Sequence, residues 1–537
     1  MSTARSSAAD RLGLAALVAV VLALVVLPLV DLFATALSEG TSVIADAFGG
    51  AAAEAVVTTL LIGLAVTLGA LAIGTAAAFA IERQRLPGRG WLRAGMLLPL
   101  LVPGFVSALS WIAAYGPGGL ASDLAGVELP GLFGAPGVVA VLIVETVPIV
   151  YLVVAAALLT RVEPDAERAA RAAGAGPREA ALHVTLPLLA PALGAAAVLA
   201  FVSAVNAFGV PAILGTPARL VTVSVRIYQD LALSADPAAF VRAIALACSL
   251  VILAVVTVTA ADTVFSTGRA ARTGAPAGPV GGEGRGRRST AALLWAYIGL
   301  MVLLPLLALA LASITRAVGL PPLPEHWTLA NFATVLSGRT LEALGNSLLL
   351  ALISASAAVA LGGLLLTVRR RGLRRGTSLA ATLPFALPGS ALAVAVLLAY
   401  GPWLRDTLLL IAVAYVAKFW ALGHRPLVGA ADALAGSQVV AARASGAGRA
   451  DALWSVTLPL MRPAIIGAWL VVFLLSLHEL TMSSLLHGPG TRTLAVVILD
   501  LQQLGDVAGT SALGIMLTGF ALLVGGGALL LVRRAWP

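Results

Sequence analysis

The sequence predicts an all-α integral membrane protein of about twelve transmembrane helices, arranged as two parallel six-helix repeats. Three observations support this fold class: an apolar composition, long apolar runs along the whole chain, and a hydrophilic segment that occurs twice. The 537 residues are 60% hydrophobic and 11% charged, with a mean hydropathy of +1.01, whereas soluble proteins carry about a quarter charged residues. Each apolar run is long enough to cross a hydrocarbon layer of about 30 Å as a helix.

Twelve apolar runs define the expected spans, six in each half of the chain. They cover residues 13–36, 55–82, 93–115, 136–160, 188–212, 240–265, 291–314, 343–368, 377–400, 406–423, 460–486 and 508–533. The first run is longer than the core of a signal peptide, so we expect it to be retained as a span. Residues 266–290 are rich in Gly, Pro and Arg and lack apolar periodicity, which is typical of a flexible linker. The expected domains are a first six-span half (1–265), a cytoplasmic linker (266–290) and a second six-span half (291–537).

The placement of arginine indicates the orientation of the spans. Basic segments at 82–93 and 369–376, the linker and the C-terminal residues all fall on one side if the N-terminus is cytoplasmic. The loop at 116–135, on the opposite side, contains no Arg or Lys, as the positive-inside rule requires. Both termini are then cytoplasmic, and the net charge of +9 reflects topology in a lipid bilayer rather than nucleic-acid binding. The single cysteine, Cys248, lies in an apolar run, so we expect neither disulfides nor thiolate metal sites.

A hydrophilic segment between the fourth and fifth spans recurs between the tenth and eleventh. Residues 169–192 and 441–464 agree at 15 of 24 positions. In the first copy, Pro164 can open a helix and Gly174 can end it with a left-handed residue, while Leu186-Pro187 is expected to mark the turn into the fifth span. The alanine-rich surface buries little of itself but lets the backbone of another protein approach closely.

Shorter segments repeat as well, and duplication of one six-span unit explains them. The matched segments are 98–104 with 383–389, and 26–30 with 303–307.

The repeated spacing is Ala-Ala, three residues, Gly, nine residues, an aliphatic residue, one residue and Leu-Pro. It resembles the EAA loop of binding-protein-dependent ABC importer permeases. The matching positions are Ala169, Ala170, Gly174, Val184, Leu186 and Pro187, and then Ala441, Ala442, Gly446, Val456, Leu458 and Pro459. The resemblance covers nearly the whole chain and implies two type I permeases fused head to tail, of the ferric-iron/thiamine type. The sequence departs from the family at its Glu position, which is Arg168 in one copy and Val440 in the other, although Glu167 lies next to the first.

The resemblance also implies partners. In this family each EAA loop docks on an ATPase, so residues 163–183 and 435–455 should contact two copies of a cytoplasmic ABC ATPase subunit. An extracytoplasmic substrate-binding protein and a location in the bacterial plasma (inner) membrane are implied in the same way. ATP and Mg²⁺ would be bound by the ATPase, because the only lysine here is Lys418 and a phosphate-binding loop requires Gly-Lys-Ser/Thr. The five histidines form no zinc-binding pattern, so we expect no catalytic site, cofactor or metal in this chain.

Two segments bear on the cargo. Residues 208–228 and 478–499 are similar to the corresponding parts of fused ferric-iron permeases, which implies ferric iron. Fused thiamine permeases and the polyamine or phosphonate permeases share the architecture and stay open as alternatives. A twelve-span secondary transporter also has two parallel six-span halves, but its signature loops usually lie between spans two and three rather than four and five.

Ionisable and amide side chains within spans are costly and usually face a cavity or a partner. We expect Asn206, His478 and Glu479 to line the outer half of a translocation path, and Glu145 and Lys418 to form an ion pair. Asn206 aligns with His478 at the 272-residue offset, and Glu145 aligns next to Lys418. The alternative is structural: Lys418 extends towards the membrane interface, and the other groups make packing hydrogen bonds.

Overall fold

The computed structural model describes residues 19–40, 45, 47–84, 86–160, 164–265, 286–317, 319–369, 387–433 and 436–535. Within these residues, ten helices are long and apolar enough to cross a membrane, and a bent helix pair would make an eleventh. The chain is therefore a multi-pass membrane protein. Most of the predicted linker, residues 266–285, lies outside the described residues, and so does 377–386 of the ninth predicted span. Residues 286–290, which we assigned to the linker, are helical.

The first half contains nine helices that matter for the site. They are α1 (Ala19–Ser38), α2 (Ala51–Arg83), α3 (Arg89–Leu101), α4 (Gly104–Tyr115), α5 (Ala135–Thr160), α6 (Pro164–Ala172), α7 (Ala181–Val205), α8 (Val223–Tyr228) and α9 (Pro237–Phe265). Four described segments of the first half match predicted spans closely, since long apolar runs set these helices directly.

The second half follows a similar order, without a described counterpart of α3 and with one further short helix, α16. Its helices are α10 (Arg287–Ile314), α11 (Gly338–Arg369), α12 (Gly389–Leu404), α13 (Leu408–Ala433), α14 (Gly436–Ala444), α15 (Leu453–Leu477), α16 (Thr481–Leu486), α17 (Leu494–Gln503) and α18 (Val507–Ala535).

Four predicted spans differ from the observed helices in shape or in bounds, and one of them, the tenth (406–423), continues to Ala433. The third, 93–115, is bent by 108° between α3 and α4, because Pro103 cannot donate an amide to the helix. The fifth and eleventh begin earlier than predicted and end at Val205 and Leu477 rather than 212 and 486. A polar residue follows each end, Asn206 in one half and His478 in the other.

The halves interlock through their first spans. In each half the second, fourth and fifth spans pack on one another, as α2, α5 and α7 or as α11, α13 and α15. The first span instead crosses to the other half: α1 packs on α12, and α10 packs on α4.

A matched pair of hydrogen bonds joins each first span to the opposite half. Each of these spans contains a π-helical turn, Leu22–Val26 or Gly299–Leu303, followed by a proline. In a π-helix the amide of residue i+5 bonds to the carbonyl of residue i, so Pro28 and Pro305 leave the carbonyls of Ala23 and Leu300 free. The Tyr400 hydroxyl donates to the Ala23 carbonyl at 2.7 Å, and the Tyr115 hydroxyl donates to that of Leu300.

Exposed tryptophans mark two levels of the bundle. Trp91, Trp295 and Trp454 lie near the starts of α3, α10 and α15, and Trp327 and Trp403 lie at the opposite level. Aromatic belts of this kind sit at membrane interfaces. One of the three tryptophans, Trp91, lies within the basic segment 82–93.

The tyrosine bonds give a stability prediction. We expect Tyr400→Phe to lower the free energy of unfolding by about 1–3 kcal/mol, because it leaves the Ala23 carbonyl, which lies within an apolar span, without a donor. Pro28→Ala supplies an amide hydrogen to that carbonyl, so the double variant should be less destabilised than Tyr400→Phe alone. Thermal unfolding of the purified protein in detergent measures both effects. A neutral Tyr400→Phe variant, or a double variant with simply added losses, would contradict this account.

Candidate functional site

The two repeated loops end their first helix in the same way. In the first loop, the Ala175 amide donates to the Ala170 carbonyl at 3.0 Å, and the Gly174 amide donates to that of Arg171 at 3.0 Å. Gly174 has a φ of 96°. This hydrogen-bond pair with a left-handed residue is the Schellman motif, which stops a helix.

The second loop has the same geometry. The Ala447 amide donates to the Ala442 carbonyl and the Gly446 amide to that of Arg443, both at 3.1 Å, and Gly446 has a φ of 90°. A Cβ atom at Gly174 or Gly446 would meet nothing within 4 Å. Glycine is thus required at both positions by backbone conformation rather than by space.

In each loop, a carboxylate accepts a backbone hydrogen bond at the start of the next short helix. The Gly176 amide donates to Glu179 Oε2 at 3.0 Å, and the Gly448 amide donates to Asp451 Oδ2 at 3.1 Å. Our sequence reading missed this pair. An acidic residue three positions after a glycine, at the start of a helix, is the signal that could have identified it.

The loop helices present their alanines outward. Ala169 and Ala441 are exposed, and Ala170 and Ala442 are partly buried. Val440, at the family's Glu position in the second loop, is 65% exposed.

Leu-Pro lies inside a helix in both copies, which corrects our expectation of a turn. The helices α7 and α15 run unbroken through Leu186-Pro187 and Leu458-Pro459. Each begins with a π-helical turn, Ala181–Thr185 or Leu453–Thr457, placed directly before this dipeptide. The proline thus limits the π-helical turn to five residues, since it has no amide to extend the pattern.

Glu167 faces inward, unlike the alanines beside it. It is 7% exposed, accepts a hydrogen bond from the Thr185 hydroxyl, and lies 3.7 Å from Arg83 Nη2. The first loop is therefore bonded to the ends of α2 and α7.

A second group of polar residues lies deep in the bundle, where α4 and α12 begin. Both helices start after a buried Pro, with nearly identical backbone angles at Pro103 and Pro388. A Cβ atom at Gly104 would lie 3.0 Å from Glu145 Oε2, and one at Gly389 would lie 3.6 Å from Glu479 Oε1. Each half thus brings one carboxylate to the start of this helix, where the helix dipole favours negative charge.

In the second half the polar groups are bonded to one another. Glu479 accepts from the Met482 amide at 2.9 and 3.0 Å and from the Ser483 amide at 3.1 Å, which caps α16. Lys418 donates to the Leu387 carbonyl and is attracted electrostatically to Glu479. The Tyr415 hydroxyl, 2.5 Å from that of Ser483, completes the cluster.

In the first half the equivalent groups are only partly satisfied. The Ser107 side chain interacts with the Glu145 carboxylate. Glu145 Oε1 and Asn206 Oδ1 are buried and have no hydrogen-bond partner among the described residues.

The predicted ion pair between Glu145 and Lys418 is wrong. Among the described residues Lys418 is engaged by Leu387 and Glu479, while Glu145 lies against the first turn of α4. The two charges occupy corresponding places in the two halves, so each contacts its own half. The described residues contain no group of three or more His, Cys, Asp or Glu that could hold a metal ion.

Comparison with known proteins finds permeases that are similar over most of the chain. It is 27% identical to a probable ABC transporter permease protein, y4fN, of Sinorhizobium fredii, over 82% of this chain and 80% of the relative. It is 24% identical to the Fe(3+)-transport system permease protein FbpB 2 of Haemophilus influenzae, over 87% of this chain and 88% of the relative.

Shorter relatives match one part of the chain. The putrescine transport system permease protein PotI of Escherichia coli is 30% identical over 36% of this chain and 73% of its own length. A putative 2-aminoethylphosphonate transport system permease protein, PhnV, of Salmonella paratyphi A is 28% identical over 38% of this chain and 78% of its own length.

The family model for the binding-protein-dependent transport system inner membrane component matches twice, over residues 70–264 and 347–536. The two matches cover more than half of the chain, and each includes one of the repeated loops. The protein therefore belongs to the family of binding-protein-dependent transport system inner membrane components, the ABC transporter permeases, with two copies of the family's unit in one chain.

Proposed function

We propose that this chain is the complete membrane pore of an ATP-driven importer, receiving cargo from an extracytoplasmic binding protein. The observation that carries the proposal is the matched pair of loops. In both halves, the first helix of the loop ends in the same Schellman motif. Two equivalent loops fit two copies of a cytoplasmic ABC ATPase. ATP and Mg²⁺ are then held by the ATPase, and this chain needs no catalytic group or cofactor. The family assignment favours this function over a twelve-span secondary transporter.

The docking elements are the two loop helices and the turns after them. The exposed alanines at 169 and 441 leave room for an ATPase groove to close on the helix backbone. The left-handed glycines and the π-helical turns before Leu-Pro occur at the same places in both loops. On this basis the coupling residues are Ala169, Ala170, Gly174, Leu186, Pro187, Ala441, Ala442, Gly446, Leu458 and Pro459.

The loops are cytoplasmic in this proposal, and the protein lies in the inner membrane with both termini on the cytoplasmic side. The basic end of α2 adjoins the first loop, since Arg83 pairs with Glu167 of α6, and this supports the orientation.

The translocation path runs between α4 and α12, where the two halves meet. Support comes from Ser390 on α12, whose hydroxyl donates to that of Ser224 in the first half at 3.2 Å. Glu145, Asn206, Lys418, His478 and Glu479 lie at or next to the breaks beside these helices and line the path. Unsatisfied acceptors in the first half, on Glu145 and Asn206, are groups that a passing cargo or its water can contact.

We further propose ferric iron as the cargo. The relative named for Fe(3+) transport matches both halves, whereas those named for putrescine and 2-aminoethylphosphonate match only part of this chain. Thiamine, polyamines and phosphonates are the alternatives. The carboxylates of Glu145 and Glu479 suit a hard cation, which prefers oxygen ligands.

The loop geometry predicts a graded effect of glycine substitution. A non-glycine residue in the left-handed region costs about 1–2 kcal/mol, so Gly174→Val or Gly446→Val should weaken ATPase docking by up to about thirtyfold. Asn tolerates this conformation, so Gly174→Asn is the matched control and should bind almost normally. Co-purification of the ATPase with the chain measures docking. Equal retention of ATPase by the Val and Asn variants would refute the role of these turns.

The polar cluster predicts a transport defect, measured per folded transporter. Glu479→Gln keeps an oxygen for the Met482 and Ser483 amides but removes the charge opposite Lys418. We expect uptake into proteoliposomes to fall about tenfold or more, since hydrogen bonds to charged groups contribute about 1.5–3 kcal/mol. Glu54→Gln, at an exposed position on α2, should transport normally. Unchanged uptake by Glu479→Gln would remove this residue from the path.

The cargo is tested with the assembled transporter. The binding protein is loaded separately with Fe(III), thiamine, putrescine or 2-aminoethylphosphonate, and ATP hydrolysis is measured in proteoliposomes. Stimulation by the Fe(III)-loaded form alone is the expected result. Stimulation by another ligand would assign that cargo instead.

A further inference from the structure

The end of α2 carries two adjacent charged residues that bind different parts of the first half. Glu82 and Arg83 are the last two residues of this helix. Arg83 pairs with Glu167 on the loop helix α6, and Glu82 pairs with α3. Together they connect the proposed docking helix to the helix that leads into the 108° bend.

The contact on the α6 side depends on a single acid. The three guanidinium nitrogens of Arg83 are buried and have no hydrogen-bond partner among the described residues. Among the residues that the structure describes, Glu167 is the only one whose carboxylate lies within 4.0 Å of Arg83. Because a buried charge needs a close counter-charge, the position of α6 relative to α2 is set by this pair.

The contact on the α3 side is stronger. Glu82 is 3% exposed and accepts from Arg89 Nη2 at 2.6 Å and from Arg93 Nε at 3.0 Å. The Tyr151 hydroxyl of α5 donates to it at 2.7 Å. The start of α3 is therefore bonded to the end of α2, and a shift of α2 must carry α3 with it.

The second loop lacks the acid. Val439 occupies the place of Glu167 at the 272-residue offset, and Thr457, in the place of Thr185, donates to the Ala452 carbonyl at 3.3 Å instead. A valine forms no ion pair, so the two loops differ in how they are joined to their own halves although their backbones match.

We propose that Glu167 is a positioning residue that transmits movement of the first docking helix through Arg83 and Glu82 to α3 and its bend. Among the residues that the structure describes, the second loop has no ionic connection of this kind, so the two ATPase subunits act on the bundle unequally. This inference rests on the proposed function of the loops.

The test uses the full chain with its ATPase and binding protein in lipid nanodiscs. Glu167→Gln is compared with Val439→Gln, the matched change in the second loop. We expect Glu167→Gln to lower the stimulation of ATP hydrolysis by loaded binding protein about fivefold or more, with ATPase co-purification unchanged. Val439→Gln should lower that stimulation much less than Glu167→Gln does, because it breaks no ion pair.

A second set of variants separates coupling from folding. Arg83→Met combined with Glu167→Met removes both charges and leaves no buried ion unpaired, so it should be stable yet lose stimulation to the same extent as Glu167→Gln. Glu167→Asp keeps the charge and should retain most of the stimulation. The effects of Arg83→Met and Glu167→Gln should not add, because they break the same pair.

Full stimulation in Glu167→Gln, or an equal loss in Val439→Gln, would overturn the inference. Loss of ATPase co-purification in Glu167→Gln would also overturn it, since the residue would then act in docking. Failure of the unaltered chain to recruit any ATPase would instead contradict the proposed function.

Discussion

Backbone amides and carbonyls inside a bilayer must find partners within the protein, and this requirement governs where the spans of this chain break. Proline creates the difficulty and tertiary contacts resolve it. Pro28 and Pro305 free one carbonyl each, and tyrosines from the opposite half bind them. At the break before α12, Lys418 binds the carbonyl of Leu387. The tyrosine contacts thus hold the two halves together and also satisfy the carbonyls that the prolines leave free in the first spans.

The two halves share a backbone but differ in chemistry. The first amides of α8 and α17 both donate to a hydroxyl oxygen of the second span, that of Thr59 at 2.9 Å and that of Ser347 at 2.8 Å. Duplication preserves such bonds because many residues depend on the same backbone path. Side chains at the path and at the loops are free to diverge, so a carboxylate in one half corresponds to an ammonium in the other. A fused chain can therefore specialise each half, which a symmetric pair of identical subunits cannot.

Local signals in the sequence determined much of the architecture. Apolar run length predicted most spans, because a helix that crosses a bilayer needs about twenty apolar residues wherever it lies in the fold. Gly174 and Gly446 predicted that the first helix of each loop ends at a left-handed residue, since few other residues adopt that conformation. The arginine pattern and the repeated spacing indicated a duplicated membrane unit before any contact was known. These features share one property: each depends on residues close together in the chain.

Only the tertiary structure decided which distant groups meet. Equivalence across the repeat suggested that Glu145 and Lys418 face each other, but each is held by its own half, because the nearest free carbonyl or helix start outcompetes a more distant charge. The inward turn of Glu167 depends on Arg83, 84 positions earlier in the chain, where no local pattern could place it. The segments that follow α7 and α15 likewise lie against the starts of α4 and α12, which are distant in the chain. The length of an apolar run determines whether a helix can cross the membrane, whereas contacts between buried polar groups help to determine where the helix ends.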